Sequence, residues 1–60
     1  MTTISSATRR ELQEIGDLKM MSVDSVAQAK KLDNIYYDLI AKIEAGIITE
    51  QEAINFLRAY

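Results

Sequence analysis

Proline is absent from this 60-residue sequence, and its two glycines, Gly16 and Gly46, stand half the chain apart. These are the strongest helix breakers, costing about 1 kcal/mol for an interior glycine and about 3 kcal/mol for proline relative to alanine. The strict alternation of apolar and polar residues that marks a strand is missing as well, and good helix formers dominate. The chain therefore reads as all-α.

Local signals divide it into three helices. In "TRRE", Thr8 is placed to cap the first helix while Glu11 reaches back to its amide. Leu12, Ile15 and Leu18 follow at helical spacing, with Met21 as an extension of the stripe. This predicts a helix over residues 9–21, preceded by a frayed tail over residues 1–7, "MTTISSA". Gly16 falls inside that helix, either tolerated or accommodating another backbone. Ser22, Asp24 and Ser25 favour caps and turns, and Met20, Met21 and Val23 leave the flanking stripe, so the pattern breaks at 22–24. The alternative is one continuous helix over residues 9–45, about 55 Å long.

The second helix spans about 25–45. Val26, Ala29, Leu32, Tyr36, Leu39 and Ile43 recur every three or four residues, with Ile35 and Ile40 widening the stripe. On the opposite side, Asp38 and Lys42 stand in the favourable acid-first i,i+4 order. Gly46 occupies the position where a left-handed residue ends a helix at little cost. Ile47 and Ile48 are expected to make apolar contacts across the corner. Thr49 then caps a third helix over about 50–59, with Glu52 completing a capping box and Ile48 and Ala53 in the staple positions. Ala53, Ile54, Phe56, Leu57 and Tyr60 form its apolar face.

The result is a single helical domain over residues 8–60, a small helical hairpin or bundle. A chain this short buries only about 60% of the surface it exposes when unfolded, so a lone core is marginal. Disulfides and zinc are the usual remedies, and neither cysteine nor histidine is present. Self-association into a homodimeric bundle is the remedy the composition favours. Three short helices carry more apolar stripe residues than one small core encloses. The residues assigned to a protein interface are Leu12, Ile15, Leu32, Tyr36, Tyr37, Leu39, Ile40, Ile43, Phe56 and Tyr60. Tyr37, at the edge of its stripe, is either a binding hot spot or an aromatic shielding the core.

Residues 39–60, "LIAKIEAGIITEQEAINFLRAY", resemble the helical hairpins of the short C-terminal domain (SHOCT) and SHOCT-like group. The shared pattern is a leucine-rich helix, a glycine, isoleucine-threonine, an acidic stretch and a second short helix. Gly46, Ile48, Thr49, Glu50, Glu52 and Leu57 carry it. The resemblance implies a helical hairpin that mediates protein association without catalytic residues. Ala53 departs from it where one branch has an aromatic, and residues 1–38 have no counterpart.

The search for chemistry is short. Without histidine or cysteine, the commonest general base and the best nucleophile are both missing. A glycine-rich phosphate loop is excluded by the separation of the two glycines. Glu11, Glu14 and Asp17 share a helix face and read as solvated surface, with cation binding or phosphate mimicry as the alternative. Arg9 and Arg10 oppose the dipole of the first helical turn. Arg10 answers to Glu14, one turn on, or else the two arginines contact an acidic partner. Catalytic, cofactor and metal sites are thus all read as none.

Net charge is −2 and the seven basic residues are scattered, unlike the dense basic face of a nucleic-acid binder. No apolar run approaches the ~20 residues needed to span a bilayer, and the N-terminus lacks signal-peptide order. The reading is a cytoplasmic, non-enzymatic regulatory protein whose partners are a second copy of itself and an unidentified protein target. Bacterial and phage-encoded inhibitors or anti-defence factors are a familiar source of such chains. The alternatives are a small helix-turn-helix DNA-binding regulator, with Gln51, Asn55 and Arg58 facing the groove, or a structural subunit of a larger assembly.

Overall fold

The computed structural model describes residues 3–60 and contains three helices, α1 (Ser6–Met20), α2 (Val26–Glu44) and α3 (Glu50–Ala59). Each packs against the other two, and no strand occurs among the described residues. Ser5, at the start of α1, meets Glu50 at the start of α3. Lys19, near the end of α1, donates to the carbonyl of Arg58 near the end of α3. α1 and α3 therefore run parallel, and α2, joined to each by a tight corner, runs antiparallel to both.

The start of α1 differs from the sequence expectation. Ser5, not Thr8, is the N-cap, and its Oγ accepts the Thr8 N–H at 3.2 Å. Both residues offer the hydroxyl that capping needs. Starting three residues earlier has a packing advantage, because it carries Ile4 into the core at 7% exposure and buries Thr8 within the first turn. Ser6 and Ala7, expected in a frayed tail, are helical. Residues 1 and 2 of that tail lie outside the described residues.

The apolar stripe of α1 also takes a different course. Leu12 is fully buried, but Leu18 and Met21 are 68% and 83% exposed. At about 100° per residue, successive three-residue steps drift by about 60°, so Leu18 has left the face of Leu12 and Met21 lies opposite it. The buried face instead follows Ile4, Thr8 and Leu12, with Ile15 and Met20 packed against it. Met20 and Val23, read as lying off the stripe, both pack on the core.

The break at 22–24 is present, which rules out the continuous rod. The chain tightens into i→i+3 bonds from Ser22 to Lys19 at 3.0 Å and from Val23 to Met20 at 3.3 Å. Ser25 then caps α2 by accepting the Gln28 N–H, while Gln28 Oε1 accepts the Asp24 N–H at 2.9 Å. The first residue of the α2 stripe is misplaced in the sequence reading. Val26 sits in the opening turn and is 72% exposed.

At the second corner the sequence is followed closely. Gly46 has φ 76°, and its N–H donates to the carbonyl of Ile43 at 3.0 Å while the Ile47 N–H donates to that of Lys42 at 2.9 Å. This is the Schellman arrangement, which satisfies carbonyls that the end of α2 would leave orphaned. Thr49 Oγ1 accepts the Glu52 N–H and Glu52 Oε1 accepts the Thr49 N–H, at 3.1 and 2.9 Å, a complete capping box. Ile48 packs on the core, but Ile47, expected to do the same, stands exposed.

The core takes one large, fully buried side chain from each helix: Leu12, Ile43 and Leu57. Ile4, Leu32, Leu39, Ile40, Ala53 and Ile54 complete it.

Candidate interaction surface

Five residues assigned to an interface on sequence grounds belong to this core. Leu12, Leu32, Leu39, Ile40 and Ile43 are all 8% exposed or less within a single chain. They hold the bundle together and offer a partner no surface. The sequence shows that these positions are apolar and share a face, but not which chain covers them. Three stripes meeting at one axis shelter more side chains than any pair does. Ile15 and Tyr36 are half-buried.

Tyr37, Phe56 and Tyr60 are the assigned residues that do face outward, at 67%, 55% and 49% exposure. Phe56 and Tyr60 were expected on the buried face of α3, yet that face is narrower and is filled by Ala53, Ile54 and Leu57. Phe56 precedes Leu57 by about 100° on the helix, and Tyr60 lies one turn beyond Phe56. Both therefore ride the shoulder of α3 next to α2. Phe56 borders a groove of about 270 Å³ with Ile35, Leu39 and Ile48, edged by Asp38, Lys42 and Glu52. Tyr60 borders a depression of about 430 Å³ with Leu18, Val23 and Leu32, at the end of the bundle where α1 gives way to α2.

Leu18 and Lys19 also line a shallower hollow with Ile15 and Arg58, so the apolar ground continues around the end of α1. Lys19 bridges it. Its Nζ donates to the Arg58 carbonyl at 3.0 Å, tying down an end carbonyl of α3. Leu18, Met21, Val26 and Ile47 are exposed apolar residues that the sequence reading missed as surface. Counting helical angle from Leu12 instead of spacing alone would have found the first two.

Tyr36 and Tyr37 are neighbours on α2, about 100° apart around the helix. Their backbones do diverge, but the rings meet edge to face with centroids 5.3 Å apart, a favoured aromatic geometry. They line a cleft of about 160 Å³ between α1 and α2, opposite Gly16 and Asp17. A Cβ on Gly16 would meet no neighbouring atom within 4 Å. No close backbone approach therefore accounts for this glycine.

The polar residues resolve into structural contacts. Glu11 accepts a hydrogen bond from Arg58 Nη2 at 2.6 Å and Asp38 pairs with Lys42 at 2.9 Å. The latter is the i,i+4 pair expected on α2. An Arg10–Glu14 ion pair is not formed among the described residues, and Arg9 and Arg10 are both exposed. Glu50, in the first turn of α3, makes a contact that was not legible in the sequence. Its Oε1 accepts from Ser5 Oγ at 2.7 Å across 45 positions. Hydrogen bonding by the Thr8 hydroxyl, and then by Ser5, holds the Glu50 carboxyl below its ordinary value. Groups of three or more residues able to hold a metal ion are absent among the described residues, as are helices long and apolar enough to cross a membrane.

Comparison of the chain with protein-family models, with curated proteins and with solved structures finds no significant match.

Proposed function

We propose that this chain is a small non-enzymatic regulatory protein that acts by binding another protein, and that it works as a homodimer. The observation that carries the reading is the unequal skin of the bundle. With its core already filled, the chain leaves Leu18, Tyr37, Phe56 and Tyr60 at 49% exposure or more. Two of these are tyrosines, which bring large rigid area and one polar tip to an interface. Phe56 and Tyr60 lie along one shoulder, so a partner laid over α2 and α3 covers both.

The SHOCT-like pattern in residues 39–60 agrees with a role in protein association, since Phe56 lies within that hairpin. An inhibitor or anti-defence factor, which occupies a surface of its target, is the kind of regulator this size suits. Cytoplasmic action fits the same proposal.

The helix-turn-helix alternative draws less support. Of the α3 residues that would face a groove, Gln51 Nε2 donates to Asn55 Oδ1 at 3.1 Å and Arg58 is paired with Glu11. Glu50 and Glu52 stand in the same helix and repel phosphate.

Sedimentation equilibrium of the full chain near micromolar concentration tests the dimer, and a monomer at every concentration rejects it. Capture from host lysate by wild type, with Tyr37→Ala and Phe56→Ser as controls, tests the target. Equal capture by all three rejects this surface.

A further inference from the structure

We infer that the Glu50 carboxylate is a latch that holds the N-terminal strap, residues 3–8, against α3, and that protonating it frees the strap before the bundle unfolds. The geometry is specific. Ser5 Oγ lies 2.7 Å from Glu50 Oε1 and 2.9 Å from Thr8 Oγ1, and it also accepts the Thr8 N–H at 3.2 Å. One serine hydroxyl thus serves as the N-cap of α1 and as the link between the N-termini of α1 and α3. The strap is not surface decoration, because Ile4 is 7% exposed and shares the buried cluster of Leu12, Ala53 and Leu57. When the strap leaves, that cluster gains an open edge.

In its charged form the Glu50 carboxylate accepts from the Ser5 hydroxyl, and protonation turns one of its oxygens into a donor and takes the charge assistance from that bond. The pKa direction agrees. A folded-state value below the ordinary one means that the link is intact at neutral pH and is lost as pH falls through the lowered value. Other charged groups stand at this end of the bundle: Arg9 and Arg10 on α1, Lys42 and Glu44 at the end of α2, and Glu52 beside Glu50 on α3. Glu52 is committed to the Thr49 amide, and among the described residues Glu50 is the carboxylate bonded to the Ser5 hydroxyl.

Amide hydrogen exchange on the full chain, expressed as protection factors, tests the latch. The readout is the Thr8 and Arg9 amides, whose acceptors are both on Ser5. In the wild type, their protection is expected to fall several-fold between neutral and acid pH while the Ala53 amide keeps its own. In Glu50→Gln it is expected to be low and flat across the range. Should Glu50→Gln fail to fold, Ser5→Ala removes the linking hydroxyl without touching α3; because it also removes the acceptor of the Thr8 amide, the readout there is the Arg9 amide alone, bonded to the Ser5 carbonyl, and the same flat profile is expected. A wild-type profile in the folded variant overturns the latch. So does loss of protection in the strap that occurs only together with that of α2 and α3.

Discussion

Arg58 Nη2 lies 2.6 Å from Glu11 Oε1, joining the last turn of α3 to the middle of α1 across 47 positions of sequence. The pair helps to set the axial register of two helices that share no connection. Both side chains are about half exposed, and surface pairs of this kind contribute only about 0–1 kcal/mol. Glu11→Gln is therefore expected to cost less than about 1 kcal/mol. The coupling in a Glu11→Gln/Arg58→Gln double-mutant cycle should shrink as salt is raised. Urea titrations at low and high ionic strength measure both.

Gly46 and Gly16 are expected to respond in opposite senses. With φ 76°, Gly46 occupies the left-handed region that side-chain-bearing residues adopt at a cost of about 1–2 kcal/mol. Gly46→Ala should lower the unfolding free energy by about 1–2 kcal/mol, read in urea titration as a lower midpoint with an unchanged slope.

Gly16 lies within α1, and an added Cβ meets open space. Gly16→Ala should raise stability by about 0.5–1 kcal/mol through lower unfolded-state entropy and better helix propensity. Thermal unfolding followed by circular dichroism reads the gain as a higher midpoint.

Adjacent residues on α3 separate fold from contact. Leu57 is fully buried and Phe56 is 55% exposed. Leu57→Ala should cost about 2–5 kcal/mol, enough to unfold a domain this small. Phe56→Ser combined with Tyr60→Ser should leave the far-ultraviolet spectrum and the unfolding midpoint of the monomer nearly unchanged while abolishing the proposed self-association. Loss of fold in that double variant would show that the shoulder of α3 serves the core.

Much of the architecture was legible because it rests on neighbours in sequence. The Gly46 terminus, the Thr49–Glu52 box, the Asp38–Lys42 pair and the break after Met21 are each settled within five residues, so local chemistry declares them. The surface was harder to read. Whether Leu39 or Phe56 faces out depends on where the other two helices lie, and one strand of sequence carries no direct statement of that. The start of α1 failed for the same reason. Ser5 and Thr8 are equivalent as local caps, and the choice is made by Ile4 docking into the core and by Glu50 arriving from the far end of the chain. Phe56 and Tyr60 were credited to the buried face of α3 as well as to an interface, because apolar spacing alone does not show how narrow the covered face is.

The corner between Lys42 and Glu52 closes its backbone bonds without any atom of α1. Its assembly therefore calls for little loop-closure entropy, whereas docking α1 beside α3 joins segments more than 40 positions apart. That difference predicts an order of events in folding, with the C-terminal hairpin as the nucleus and the docking of α1 against α3 as the later step. Kinetic φ-values should accordingly be high for conservative changes around Thr49 and Ile43 and low for those at Thr8.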